Sequence, residues 1–276
     1  MAETMEFLPR AQVLTIEELI RTARLFTELG VRKIRVTGGE PLIRRGVDEL
    51  FAGLGELPSL ETLALTTNGS QLAARASQLR EAGVSSVNIS LDSLDPTRFR
   101  TITRIGHLDA VMKGIDAAIA TGFKRIRLNA VILDGLNRDE ALPLTRFAID
   151  KNIHIAFIEE MPLGQVNVGG KALTYVSSDE LKTELEQHFE LRALNSRANA
   201  GPSRDFRIAG TGTEVGFISP HSHNFCAQCN RLRISAEGRL LMCLGNEQSI
   251  DLRDLLRAGR SDEDIKTTIM ESLPIK

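Results

Sequence analysis

Residues 1–225 contain no Cys; the three thiols, Cys226, Cys229 and Cys243, all lie towards the C-terminus. An odd number of Cys in a chain of this length excludes a secreted disulfide framework. Long apolar runs are also missing: none approaches the ~18 residues of a membrane span. The opening MAETMEFLPR puts charge and a Pro where a secretory signal needs an apolar core. Nor is there an excess of charge of one sign. With 34 Lys and Arg against 36 Asp and Glu, the formal net charge is −2. That balance gives no long-range attraction to nucleic acid or to an anionic membrane, so an anionic ligand must be held by local groups. Apolar residues are not scarce: 276 residues, 42% hydrophobic and 25% charged, can bury a core in one or two domains. These features predict a soluble, cytoplasmic protein with neither nucleic acid nor membrane as partner.

Three times a helical pattern stops at a Gly and a β-branched run follows: ELG-VRKIRVT, EAG-VSSVNIS and ATG-FKRIRLN, with Gly30, Gly83 and Gly122 as left-handed caps. Thr15 with Glu18, and Ser177 with Glu180, have capping-box spacing. Helical patterns cover residues 47–54, 72–82, 108–120, 139–150 and 181–189; strand patterns cover 33–37, 62–67, 86–91, 125–132 and 153–158. Alternation at this spacing predicts a parallel sheet with helical crossovers. Residues 195–224, rich in Gly, Ser and Asn, read as loops and short strands of a second unit, followed by a strand pair near 231–235 and 240–244 and then helix. Ile126, Leu128, Ala130 and Ile132 share one strand face, and Arg127 and Asn129 share the other. The same split pairs Arg35 with Thr37, Thr66 with Asn68, and Asn88 with Ser90 and Asp92. A sheet covered by helices on both faces should be apolar throughout, so the polar face is expected to line the mouth of a barrel, with a solvent-exposed face as the simpler reading.

Three motifs carry chemistry. In Thr37-Gly38-Gly39-Glu40-Pro41 the Gly pair lets a ligand approach the backbone, and Glu40 can accept an ammonium group. The loop lacks the GK[ST] ending of a phosphate loop, and it is also compatible with a plain βα turn. Cys226-Ala227-Gln228-Cys229, with Cys243 after thirteen intervening residues, has the spacing of a metal or cluster site. Zinc completed by His221 or His223, an iron–sulfur cluster with an open position, and unliganded thiols all stay open at this point. Arg231 and Arg233, two apart around Leu232, are expected to point the same way on a strand, which suits a polyanion or an exposed surface strand.

TGGEPLIRR (37–45), TTNG (66–69), NISLDSLD (88–95), FIEEMPLG (157–164) and FCAQCNRLR (225–233), in that order and over nearly the whole chain, resemble the GTP 3′,8-cyclase family of radical S-adenosylmethionine enzymes, which begins molybdenum cofactor biosynthesis. The resemblance implies an α/β fold: a partial (β/α) barrel of TIM type over 1–194 and a C-terminal α+β cluster-binding unit over 195–276. It implies a lyase whose radical abstracts a ribose hydrogen of GTP before the sugar carbon closes onto guanine C8. It assigns Cys226, Cys229 and Cys243 to a C-terminal [4Fe–4S] cluster. Arg35, Thr66, Arg127, Arg231, Leu232 and Arg233 are assigned to GTP, and Gly39, Glu40, Ser90 and Met161 to S-adenosylmethionine. The family is often dimeric, so a homodimer is an expectation of the resemblance alone.

The sequence departs from the family at several places. Arg127 stands where Lys is common, and Ala156 where many members have Arg. The N-terminal C-x3-C-x2-C, which holds the cluster that reduces S-adenosylmethionine, has no counterpart in these residues, nor has the C-terminal Gly-Gly tail. The expectation is a chain that binds GTP but does not by itself cleave S-adenosylmethionine. The competing expectations are a non-catalytic zinc- or cluster-bearing nucleotide-binding fragment or relative and, last, a barrel aldolase or isomerase, which the Arg, Thr, Asn and Ser at the strand ends do not favour.

Overall fold

The computed structural model describes residues 8–160, 167–168, 171–172, 174–195, 201–223, 229–243 and 249–273. Met161 and Cys226 lie outside them. Two compact units emerge, each discontinuous in sequence: Met1–Ile34 with Arg44–Leu63 and Asn230–Lys276, and Arg35–Ile43 with Ala64–Cys229.

The first unit is built on α1 (Ile16–Glu28), α2 (Val47–Gly55), α8 (Leu252–Arg257) and α9 (Asp262–Ser272). Thr15 and Glu18 close the expected capping box at the start of α1, so two otherwise orphaned amide N–H groups are satisfied. Leu14, Leu25, Phe26, Leu240, Met242, Leu252, Leu256, Ile265 and Ile269 form its buried apolar cluster. Polar clasps surround the cluster: Arg21 and Arg24 donate to Asp262, and Arg257 donates to Glu18 and to the Val13 carbonyl. A small antiparallel sheet completes the unit: β9 (Arg233–Ile234), β10 (Arg239–Leu241) and β11 (Ser249–Asp251). The strand expected at 231–235 therefore shrinks to two residues. Arg231 precedes it, so the pair does not share a strand face.

The second unit carries the large sheet. Its strands are β1 (Lys33–Val36), β2 (Thr62–Thr67), β3 (Val84–Ser90), β4 (Arg125–Val131), β5 (His154–Ile158), β6 (Leu191–Ala193), β7 (Ser203–Ile208) and β8 (Glu214–Ile218), in the order β1-β2-β3-β4-β5-β8-β7-β6. The parting between the units falls inside β1 and β2. β3, β4, β5 and β8 run parallel, and β8, β7 and β6 continue antiparallel. The helices between strands are α3 (Leu72–Glu81), α4 (Pro96–Thr103), α5 (Leu108–Thr121), α6 (Ala141–Asp150) and α7 (Ser178–Glu186). This is the α/β fold expected, a mostly parallel sheet consistent with a partial barrel.

Gly30, Gly83 and Gly122 all have positive φ, as their capping role predicts. At the start of α7 Ser177 accepts from the Glu180 amide, but Glu180 does not return a bond to the Ser177 backbone, so only half of the expected box is made. α4 was not foreseen, although Asp95 caps it and Pro96 begins it. One face of the sheet is dry: Val87, Ile89, Leu128, Ala130, Ile155, Phe157, Val215 and Phe217 are all buried, with Phe157 and Phe217 rings 6.2 Å apart. The strands alternate, so the other face takes Asn88, Ser90, Arg127, Asn129, His154, Ala156 and Gly216.

Candidate functional site

Loops at the C-terminal ends of the parallel strands meet on this polar face. Glu40, expected to present its carboxylate to an ammonium, already accepts from the Leu42 amide, the Thr67 hydroxyl and the Asn68 amide at 2.6–3.0 Å. It ties the loop after β1 to the loop after β2. What it offers a ligand is the lone-pair capacity these three donors leave. A Cβ placed on Gly38 would meet nothing within 4 Å, so the backbone of this loop faces open space. Gly69 is required for the opposite reason: its φ is +79°, and a Cβ would lie 3.0 Å from Ile89 and 3.1 Å from Val111. The TTNG turn is thereby seated against β3 and α5.

Ser90 ends β3 half-buried, and Asn88 beside it lies in register with Arg127. Asp92 follows. Its carboxylate accepts from the Val131 amide at 2.8 Å, and its carbonyl accepts from Asn137, which also binds the Val131 carbonyl. Desolvation outweighs that amide bond and pushes the Asp92 carboxyl up to about 6.

Arginines dominate the rest. Arg35 is largely enclosed, its guanidinium donating to the Leu65 carbonyl at 3.1 Å and the Thr66 hydroxyl at 3.2 Å, and no carboxylate pairs with it among the described residues. Desolvation, with repulsion from Arg127 and Arg125, draws it down to about 10, so it stays cationic at neutral pH. Arg127 is only 8% exposed. Its Nη2 donates to Asp205 at 2.5 Å and to Ser203 at 2.9 Å, and its Nε is buried without a hydrogen-bond partner. Burial lowers its pKa while Asp205 opposes the shift. Behind it, Arg125 pairs with Glu214 at 2.6 Å and Arg207 with Glu214 at 3.0 Å. His154 accepts from the Glu214 amide and, desolvated beside Arg125, falls to about 4, so it is neutral at pH 7.

The expected site residues are thus partly gathered. Arg35 with Thr66, and Arg127 with Ser90 and Asn129 on neighbouring positions, belong to one polar face. Cys229 is half-buried at the end of this unit; Arg231, Leu232 and Arg233 are half-buried and Cys243 exposed in the first unit. No group of three metal-ligating side chains occurs among the described residues, from which Cys226 is missing. His223 Nε2 pairs with Asp179 at 2.8 Å, and the His221 ring stacks on Tyr175 with centroids 4.9 Å apart.

Two residues of consequence escaped the sequence reading, Asp205 and Glu159. Glu159, 2% exposed at the end of β5, accepts from the amides of Ser178, His221 and Ser222 and from the Ser222 hydroxyl. Burial alone would raise its carboxyl, but these bonds prevail and lower it. It fixes the turn at 221–222, four residues before Cys226. Its signals in the sequence are its place in the FIEEMPLG motif and an acid directly after an apolar strand; neither shows which amides it accepts from.

Two family descriptions match in tandem, the radical SAM superfamily over residues 2–148 and Molybdenum Cofactor Synthesis C over residues 153–276. The GTP 3′,8-cyclase of Pseudomonas entomophila is 52% identical over 278 residues, covering 100% of this chain and 83% of that protein. That of Saccharophagus degradans is 50% identical over 277 residues with the same coverage. Among solved structures, Streptococcus suis SuiB superposes with a TM-score of 0.64 at 18% identity, over 90% of this chain and 60% of SuiB, a likeness of fold alone. No helix among the described residues is long and apolar enough to cross a membrane. End-to-end identity of this degree, on a polar strand face built around unneutralised arginine, places the chain in the GTP 3′,8-cyclase family of the radical SAM superfamily.

Proposed function

We propose that the chain takes GTP as substrate in the cyclase reaction of its family, a cytoplasmic lyase step in molybdenum cofactor biosynthesis. The observation that carries this is Arg35: a largely enclosed guanidinium with a neutral hydroxyl and a carbonyl for partners, beside Arg127 whose Nε is unpaired. A guanidinium such as Arg35, enclosed without a carboxylate, is costly to bury unless an anion arrives. The phosphates of GTP are such an anion, and Thr66, in contact with Arg35, adds a hydroxyl. The resemblance, and not the geometry, is what adds Arg231, Leu232 and Arg233 to the proposed GTP-binding residues. Open space at Gly38 and the tethered Glu40 fit the approach of S-adenosylmethionine along Gly39, Ser90 and Met161. The donor set of Cys226, Cys229 and Cys243 is thiolate only, which fits an iron–sulfur cluster with one position left for a ligand. When bound, S-adenosylmethionine and a reducing cluster supply radical chemistry, for which residues 1–225 offer no thiolate. The contribution of the residues described here is to hold polyphosphate and ribose in a fixed pose. A division at 194/195 between barrel and cluster-binding parts, and a homodimer, belong to the same reading.

The full chain, reconstituted anaerobically with iron and sulfide, is expected to carry about four iron atoms, to bind GTP, and to lose most of that affinity in Arg35→Gln. Stoichiometric zinc, or GTP binding indifferent to Arg35→Gln, overturns the reading.

A further inference from the structure

The charges on the polar face form a row. Arg207 and Arg125 flank Glu214 at 3.0 and 2.6 Å; Arg125 reaches Asp205 Oδ2 at 4.0 Å; Arg127 holds Asp205 Oδ1 at 2.5 Å; Arg35 follows with no acid. Signs alternate until the last two members, both positive. His154, neutral at pH 7, adds nothing to the row. The member without an acid is therefore Arg35, and the acid closest to that end of the row is Asp205, held by Arg127.

Asp205 is set up to change partners. Its Oδ1 is held not only by Arg127 but by the Ser203 hydroxyl, which donates at 2.6 Å, while Oδ2 already faces Arg125. If Arg127 turned to another anion, the carboxylate would keep a hydroxyl and a guanidinium. Arg127 is engaged through Nη2 only, with Nε buried and unpaired, so half of its fork is unused. The space it occupies is made by Gly216, where a Cβ would fall 1.7 Å from Nη2.

We propose that Asp205, steadied by Ser203, is an internal counterion that occupies Arg127 until the polyphosphate of the nucleotide replaces it, and so sets how many anionic charges a ligand must bring. This rests on the GTP reading above and deepens it. A carboxylate competing for the same guanidinium lowers affinity for every anion there, and a triphosphate overcomes it better than a monophosphate does.

The test is nucleotide binding by calorimetry on the anaerobically reconstituted full chain, with GTP, GMP, guanosine and inorganic tripolyphosphate as ligands. Asp205→Asn keeps the shape and removes the charge. It is expected to tighten GTP and tripolyphosphate about tenfold, to tighten GMP less, and to leave guanosine unchanged. In an Arg127→Gln background the same substitution should gain nothing. Should Asp205→Asn fail to fold, Ser203→Ala loosens the carboxylate without altering charge and is expected to give a gain of about threefold. Unchanged or weaker anion binding in a folded Asp205→Asn, with Arg127→Gln still impaired, overturns the counterion and spares the GTP reading. Indifference of GTP to Arg35→Gln overturns both.

Discussion

Replacing Gly216 with Ala adds one methyl group at a place where three side-chain ends converge. Its Cβ would stand 1.7 Å from Arg127 Nη2, 2.3 Å from Ser203 Oγ and 2.4 Å from Asp205 Oδ1. All three atoms are tips of side chains, so the backbone need not move; the guanidinium must. Leaving its place breaks the pair with Asp205, whose partners have 10% and 26% of their side chains exposed. Breaking a buried pair costs about 3–5 kcal/mol. Ala in a strand interior recovers about 0.5–1 kcal/mol relative to Gly. The expected net loss of unfolding free energy is therefore about 2–4 kcal/mol, read from urea denaturation midpoints at unchanged slope. The decisive measurement is the double-mutant cycle: in an Arg127→Ala background Gly216→Ala should cost almost nothing, because the atom it displaces is gone. A cost that stays the same in both backgrounds would refute the reasoning and place the conflict with the strand itself.

Three further outcomes follow from the same face. Asp92 has a folded-state pKa near 6 against an ordinary value of 3.8, so it binds its proton more tightly when folded and weighs against stability as pH rises from about 4 to above 6. Asp92→Asn, which keeps an acceptor for the Val131 amide, should raise the melting temperature at pH 8, by up to about 3 kcal/mol in equivalent stability, and make no difference near pH 3.5. His154 is the converse: a pKa depressed from 6.5 to about 4 leaves its contribution intact above 6.5 and removes it as pH falls towards 4. The wild-type chain should lose stability in that window, and a His154→Gln variant should lose less; parallel denaturation curves would contradict the assignment. Glu159→Ala leaves the amide of buried Ser178, those of His221 and Ser222, and the Ser222 hydroxyl without their acceptor. It should cost about 2–4 kcal/mol and lower iron retention after reconstitution, whereas Glu160→Ala, next in the chain, should do neither.

Where a feature depends on neighbours in the chain, it was legible. The Gly caps at 30, 83 and 122 and the Thr15 box are local events, and β2, β3, β4 and β5 follow their alternating patterns to within two residues. α4 had a readable signal as well, an Asp-Pro pair at 95–96 with the Asp at N-cap and the Pro at N1, the Asp being the last residue of the NISLDSLD motif. The site was legible by residue type and illegible by partner. Glu40 looked like a ligand group and also works as a tie between two loops, because the amides it accepts from lie up to 28 positions away in the chain. Asp205 gave no signal, since it sits in a polar stretch and acquires meaning only when an antiparallel strand brings it across from Arg127, 78 positions earlier.

That last pairing also joins two departures that looked independent in the sequence. Arg127 and Ala156 are the two strand positions where the resemblance implies Lys and Arg instead, one a change of cation and the other a missing cation. In the sheet, β5 lies between β4 and β8, so Arg127 can reach the position over Gly216 only by crossing β5 on its polar face. The residues it must pass there are His154, in its own register, and Ala156, in register with both Asn129 and Gly216. A second guanidinium at 156 would contend for that path and add a further positive charge beside Arg127 and Arg125. The short side chains at 156 and 216 and the long one at 127 are therefore one arrangement: the charge is delivered across β5 from β4 instead of from β5 itself. It follows that restoring the common residue at 156 alone should harm this chain. Ala156→Arg is expected to weaken GTP binding and stability together, while the paired change Arg127→Lys with Ala156→Arg should recover both, because the shorter ammonium no longer needs the crossing.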